Sequence, residues 1–80
     1  MDRKNITEKT IELVSLIFKE DKAALNLETE LSHIKNFDSL EQLNLFLKIE
    51  QEFKTNFDMQ ELVRMKKIKD IVDGIAVRKL

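Results

Sequence analysis

Asn36-Phe37-Asp38-Ser39-Leu40-Glu41-Gln42-Leu43-Asn44-Leu45-Phe46-Leu47-Lys48-Ile49-Glu50-Gln51-Glu52-Phe53 is the stretch whose reading decides the fold. Asp38 and Ser39 each carry a short side-chain oxygen that can accept from the free N–H groups of a first helical turn. Neither Gly nor Pro interrupts the run from Leu40 onward, so a helix is predicted from here to about Phe53. At about 100° per residue, Leu45, Phe46, Ile49 and Phe53 fall on one apolar stripe. Leu40, Leu43 and Leu47 fall on a second, well separated from it. A helix packed on one side needs one stripe, so the surplus implies either deep burial or a partner surface. Ser39 would stand at the positive end of the helix, where free N–H groups and the dipole favour a phosphate.

Upstream, Ile6, Leu13, Val14, Ile17 and Phe18 recur at helical spacing, predicting a first helix from about Ile6 to Lys19. Asn5 and Glu8 have the spacing of a capping box at its start. Between Glu20 and Phe37 the periodicity breaks down. Leu25, Leu27, Leu31 and Ile34 suit a long loop pinned to the core by apolar anchors, with room for a short helix around Glu28 to Ile34. His33, the only histidine, has no second ligand near it in sequence and reads as a surface residue.

Downstream, Lys54-Thr55-Asn56 reads as a turn and Phe57 as a return to the core. Asp58 can cap a short helix holding Leu62, Val63 and Met65. Ile68, Ile71, Val72 and Ile75 predict a last helix to about Val77, with Lys69 and Asp73 spaced to pair and Gly74 weakening it by roughly 1 kcal/mol relative to alanine. The expected fold is all-α: a small four-helix bundle of three main helices and one short one, with a long first loop, in one domain over residues 1–80.

Composition narrows the chemistry. The chain has 80 residues and no Cys, which excludes disulfides, zinc–thiolate sites and thiol nucleophiles. No apolar run is long enough to span a bilayer and nothing resembles a signal peptide, so a cytoplasmic protein without a membrane partner is expected. The net charge of −1 is unevenly spread. Residues 28–61 hold eight acids against three lysines, and residues 62–80 hold six bases against two acids. Such asymmetry can steer partners. A helix-turn-helix would set Arg64, Lys66, Lys67 and Lys69 against phosphates, but the acidic central helix opposes it, and no nucleic-acid partner is expected. No His–Ser or Cys–His pairing, Gly-rich loop or calcium loop is present, so the chain reads as a non-enzyme without a metal site.

Asp38-Ser39-Leu40, followed by a helix ending Ile49-Glu50-Gln51-Glu52-Phe53, resembles the acyl carrier protein family. The likeness extends through the long first loop, Phe57, Met65 and Ile68-Lys69-Asp70-Ile71-Val72. It implies a four-helix carrier with phosphopantetheine, derived from coenzyme A, attached covalently to Ser39, flanked by Asp38 and Leu40. The arm ends in a thiol, which would supply what a chain without Cys lacks. By the same resemblance, Leu45, Phe46, Ile49 and Phe53 are core positions. Leu40, Glu41, Leu43, Asn44, Leu47 and Glu50 would meet partner enzymes: a phosphopantetheinyl transferase, an acyl- or aminoacyl-loading enzyme, and downstream synthases. A monomer that carries acyl intermediates as thioesters is implied; an aminoacyl or peptidyl carrier and an unmodified helical interaction module are the alternatives. The chain departs from the family pattern in having Asn36-Phe37 where a glycine usually precedes the motif, and Asp58 where a proline is usual. Asn44, Lys48 and Gln51 also replace acidic or small residues. These departures favour a dedicated lipid or polyketide-type pathway over bulk fatty acid synthesis.

Overall fold

A computed structural model describes residues 2–79. Four α-helices follow one another: α1 (Arg3–Phe18), α2 (Ser39–Phe53), α3 (Met59–Arg64) and α4 (Ile68–Lys79). Two short 3₁₀ turns, Lys22–Ala24 and Leu31–His33, punctuate the first loop. The all-α, four-helix expectation is met, and the second turn stands where a short helix was allowed for.

Helix α1 packs against both α4 and α2, with Ile6, Val14 and Phe18 fully buried along its inner face. Its start differs from expectation. The N-cap is Asp2, whose carboxylate accepts the Asn5 N–H at 2.8 Å, so Asn5 lies inside the first turn and does not cap it. Helix α2 buries Leu45, Phe46, Ile49 and Phe53, the stripe the periodicity assigned to the core. Ile68, Ile71, Val72 and Ile75 of α4 are wholly buried. Each such side chain contributes roughly 1.5–3 kcal/mol relative to an exposed one.

The two main helices before the turns end without glycine. Lys19 and Lys54 take the left-handed conformation, with φ of 55° and 51°, and return their N–H groups to Ser15 and Glu50 carbonyls. Glu50 organises the second turn further, since its carboxylate accepts the Phe57 N–H at 2.9 Å. Phe57 is buried, as expected. Asp58 and Glu61 then form a reciprocal capping box on α3.

The first loop holds α4 in place through the backbone. Thr29 and Leu27 carbonyls accept the Ile68 and Lys69 N–H groups at 3.0 and 2.9 Å, satisfying two free donors of the α4 first turn. In return the Leu31 N–H donates to the Lys66 carbonyl at 2.8 Å. Leu25, Leu31 and Ile34 are buried and Leu27 half-buried, so the anchors read from sequence are anchors in the fold. His33 is exposed, 3.3 Å from the Glu30 carboxylate. Asp73 pairs with Arg3 of α1, not with Lys69, and so ties the two ends of the chain together. Gly74 is more than a weak point in α4: a Cβ there would lie 2.8 Å from Met65 Cε and 3.2 Å from Phe57 Cε1, and its absence admits both side chains.

Candidate functional site

The approach to Ser39 is built by residues 36–38. Asn36 Nδ2 donates to the Phe18 carbonyl at 3.1 Å, at the end of α1. The Phe37 ring stacks on Phe18 with centroids 6.0 Å apart and planes 21° from parallel. This pair docks the chain onto the end of α1 just before α2 begins. It occupies the place where the resemblance leads one to expect a glycine.

Asp38 is the N-cap of α2. It is extended (φ −150°, ψ 134°), its carboxylate accepts the Leu40 N–H at 2.8 Å, and its carbonyl accepts the Gln42 N–H at 2.9 Å. Both Asp38 and Ser39 could have capped, and the aspartate does. Ser39 is therefore the first helical residue, exposed, with its hydroxyl not committed to capping. Glu41 adds a second acid to the first turn.

Beside Ser39 lies a cleft of about 500 Å³ between α2, α3 and the first loop. Phe46 and Leu31 form buried parts of its wall, with Phe37, Leu43, Leu62 and Val63 around them. Ser39, Ser32, Gln42 and Lys66 supply its polar lining. Such a cavity, apolar with a few polar groups at its edge, suits a slender ligand tethered at the rim.

The outer face of α2 carries the second stripe. Leu40, Leu43 and Leu47 are 71 %, 52 % and 50 % exposed, so the surplus apolar residues are not core. Met59 and Val63 of α3 are also exposed, and line the same cleft. Asn44 is exposed and donates its side-chain amide to Glu41 at 2.8 Å. Glu41 and Glu50 are half-buried, Glu50 spending a carboxylate oxygen on Phe57. The structure thus brings Leu40, Leu43, Asn44 and Leu47 to one outer surface near Ser39. Met59, at the edge of that surface, was not singled out from sequence, and Val63 was read only as a member of the short helix, because α3 is too short to show a periodicity.

The family described as phosphopantetheine attachment site matches residues 8–75, which spans α2, the cleft and most of α4. The chain belongs to this family. Three relatives agree with one another. An acyl carrier protein of Coprothermobacter proteolyticus is 29 % identical over 94 % of this chain and 92 % of its own length. An acyl carrier protein homolog of Ureaplasma parvum is 31 % identical over 79 % of this chain and 84 % of its own. An acyl carrier protein of Phytoplasma mali is 31 % identical over 88 % and 83 %. The helical bundle is of the acyl carrier type, and the group such a domain carries is covalently attached phosphopantetheine. Acyl carrier proteins are carriers, not catalysts, and work with transferases and synthases. Among the described residues no helix is long and apolar enough to cross a membrane.

The arrangement fits that group on its own geometry. A phosphodiester on the Ser39 Oγ would lie at the start of a helix of 15 residues, and the rest of the arm has a cleft to lie in. When bound, phosphopantetheine supplies a terminal thiol that carries cargo as a thioester. Were the arm attached at Ser39, Asp38 and Asn36-Phe37 would fix the start of α2 beside it, and the cleft walls would flank what hangs from it.

Proposed function

We propose that this chain is a carrier domain, monomeric and cytoplasmic, that bears phosphopantetheine on Ser39 and presents acyl intermediates as thioesters to enzymes that act on them. It does no catalysis of its own. The observation that carries the reading is the division of labour at the α2 start: Asp38 caps, and Ser39 stands exposed at the rim of the apolar cleft. Leu40, Leu43 and Leu47, flanked by Glu41, Asn44 and Glu50, form the surface offered to a phosphopantetheinyl transferase, a loading enzyme and downstream synthases. The neutral and basic residues Asn44, Lys48 and Gln51 on this helix support a dedicated lipid or polyketide-type pathway.

Cargo tests the reading. Arms bearing butyryl, octanoyl and alanyl groups can be installed from the corresponding coenzyme A thioesters, and thermal unfolding compared with that of the bare arm. An octanoyl group seated in the cleft should raise the melting temperature above that of the bare arm, with butyryl between. A rise with alanyl alone would instead favour an aminoacyl carrier. An equal melting temperature throughout would mean that the cleft holds no cargo.

A further inference from the structure

Among the described residues, Lys66 is the one charged residue in the wall of the cleft that Ser39 opens onto; its neighbours there are apolar or uncharged polar. Its backbone is fixed on both sides. The Lys66 carbonyl accepts the Leu31 N–H at 2.8 Å, and its own N–H donates to Asp70 Oδ2 at 2.9 Å. The side chain therefore starts from a held point, is exposed, and lines the cleft.

The acids around it are engaged elsewhere. Asp70 accepts the backbone N–H groups of both Lys66 and Lys67. Glu28 pairs with the Lys67 ammonium at 2.9 Å, and Glu30 faces His33. Among the described residues the Lys66 ammonium has no ion-pair partner. A cation without a partner on the wall of an apolar cleft is complementary to a ligand that is largely apolar and carries one negative group.

We propose that Lys66 pairs with an oxyanion carried on the Ser39-linked arm and so holds the arm in the cleft. This rests on attachment at Ser39. Two sources offer that chemistry: the phosphodiester at the root of the arm, or a free carboxylate at the end of a dicarboxylic acyl cargo.

The experiment uses the whole chain, wild type, Lys66→Gln and Lys66→Arg, each loaded from butyryl- or succinyl-coenzyme A. Intact mass first establishes that the arm is on, and thermal unfolding of the unloaded proteins establishes that each variant folds. The rate of thioester cleavage by hydroxylamine then reads how long the cargo is sheltered, and the ³¹P resonance reads the phosphodiester.

If the cargo carboxylate is the partner, Lys66→Gln should speed cleavage of the succinyl form about two- to fivefold, the scale of one solvent-accessible ion pair. The butyryl form should be unaffected, and Lys66→Arg should be close to wild type. If the phosphodiester is the partner, Lys66→Gln should speed both forms alike and move the ³¹P resonance. High salt should erase either effect. Unchanged cleavage of both forms with an unmoved ³¹P resonance would overturn the proposal and leave Ser39 attachment standing. Failure to gain mass would overturn Ser39 attachment, and this inference with it.

Discussion

The Asp38 carboxylate holds the Leu40 N–H at 2.8 Å, bridging over Ser39 and taking the capping role on which α2 depends. Asp38→Ala should therefore cost about 1 kcal/mol of stability, the usual cost of a lost N-cap. Ser39→Ala should cost less than about 0.5 kcal/mol, as an exposed substitution does. Urea unfolding of the two variants checks this. An equal loss in both would mean that the serine shares the cap.

The two stripes of α2 should respond in opposite ways. Ile49 is fully buried, and Ile49→Ala should cost about 2–5 kcal/mol. Leu43 is half exposed, and Leu43→Ala should leave stability nearly unchanged while slowing turnover by a phosphopantetheinyl transferase. Unfolding curves and initial modification rates separate the two. A Leu43→Ala variant that fails to fold would place the second stripe in the core.

Thr10 is wholly buried in α1, and its hydroxyl has no hydrogen-bond partner among the described residues. Replacing the hydroxyl by a methyl of similar shape removes an unmet desolvation cost. Thr10→Val should gain about 1 kcal/mol, and Thr10→Ser, which keeps the hydroxyl and loses the methyl, should be less stable than wild type. Both are read from urea midpoints.

Acid should unfold the protein through identifiable carboxylates. The Lys67 ammonium beside Glu28 and the Arg78 guanidinium beside Glu61 hold both carboxyls below the usual range. Burial pushes Asp70 up, but the N–H groups of Lys67 and Lys66 outweigh it and leave the carboxyl lowered. A carboxyl lowered by folding contributes stability that is complete above its unfolded pKa. That contribution is lost as pH falls through the folded value, so loss should begin near pH 4 and deepen below it. Asp70→Asn should be less stable than wild type at neutral pH, and the gap should narrow progressively as pH falls below about 4. A gap that stays constant across that range would contradict the assignment.

Much of this arrangement was legible because it rests on periodicity. The buried faces of α1, α2 and α4, and the exposed second stripe of α2, follow from where Leu, Ile, Val and Phe recur. What could not be read depends on partners far away in sequence. Asp73 has an i−4 lysine available, yet the closing of α1 on α4 gives it Arg3. Gly74 looks like a helix defect until Phe57 and Met65 are seen against it. The cleft is hidden for the same reason, since Leu31, Ser39, Val63 and Lys66 meet only when the first loop is tied to the start of α4. The C-terminal ends of α1 and α2 were read to within a residue, although lysines adopt the left-handed cap where glycine would have marked it.

Intact mass after incubation with coenzyme A and a phosphopantetheinyl transferase, followed by peptide mapping, tests the central claim most directly. The wild-type chain should gain one phosphopantetheinyl group, mapped to Ser39, and Ser39→Ala should gain none. Modification at Ser32, the other serine of the cleft, or no gain with folded wild-type protein and two unrelated transferases, would contradict attachment at Ser39.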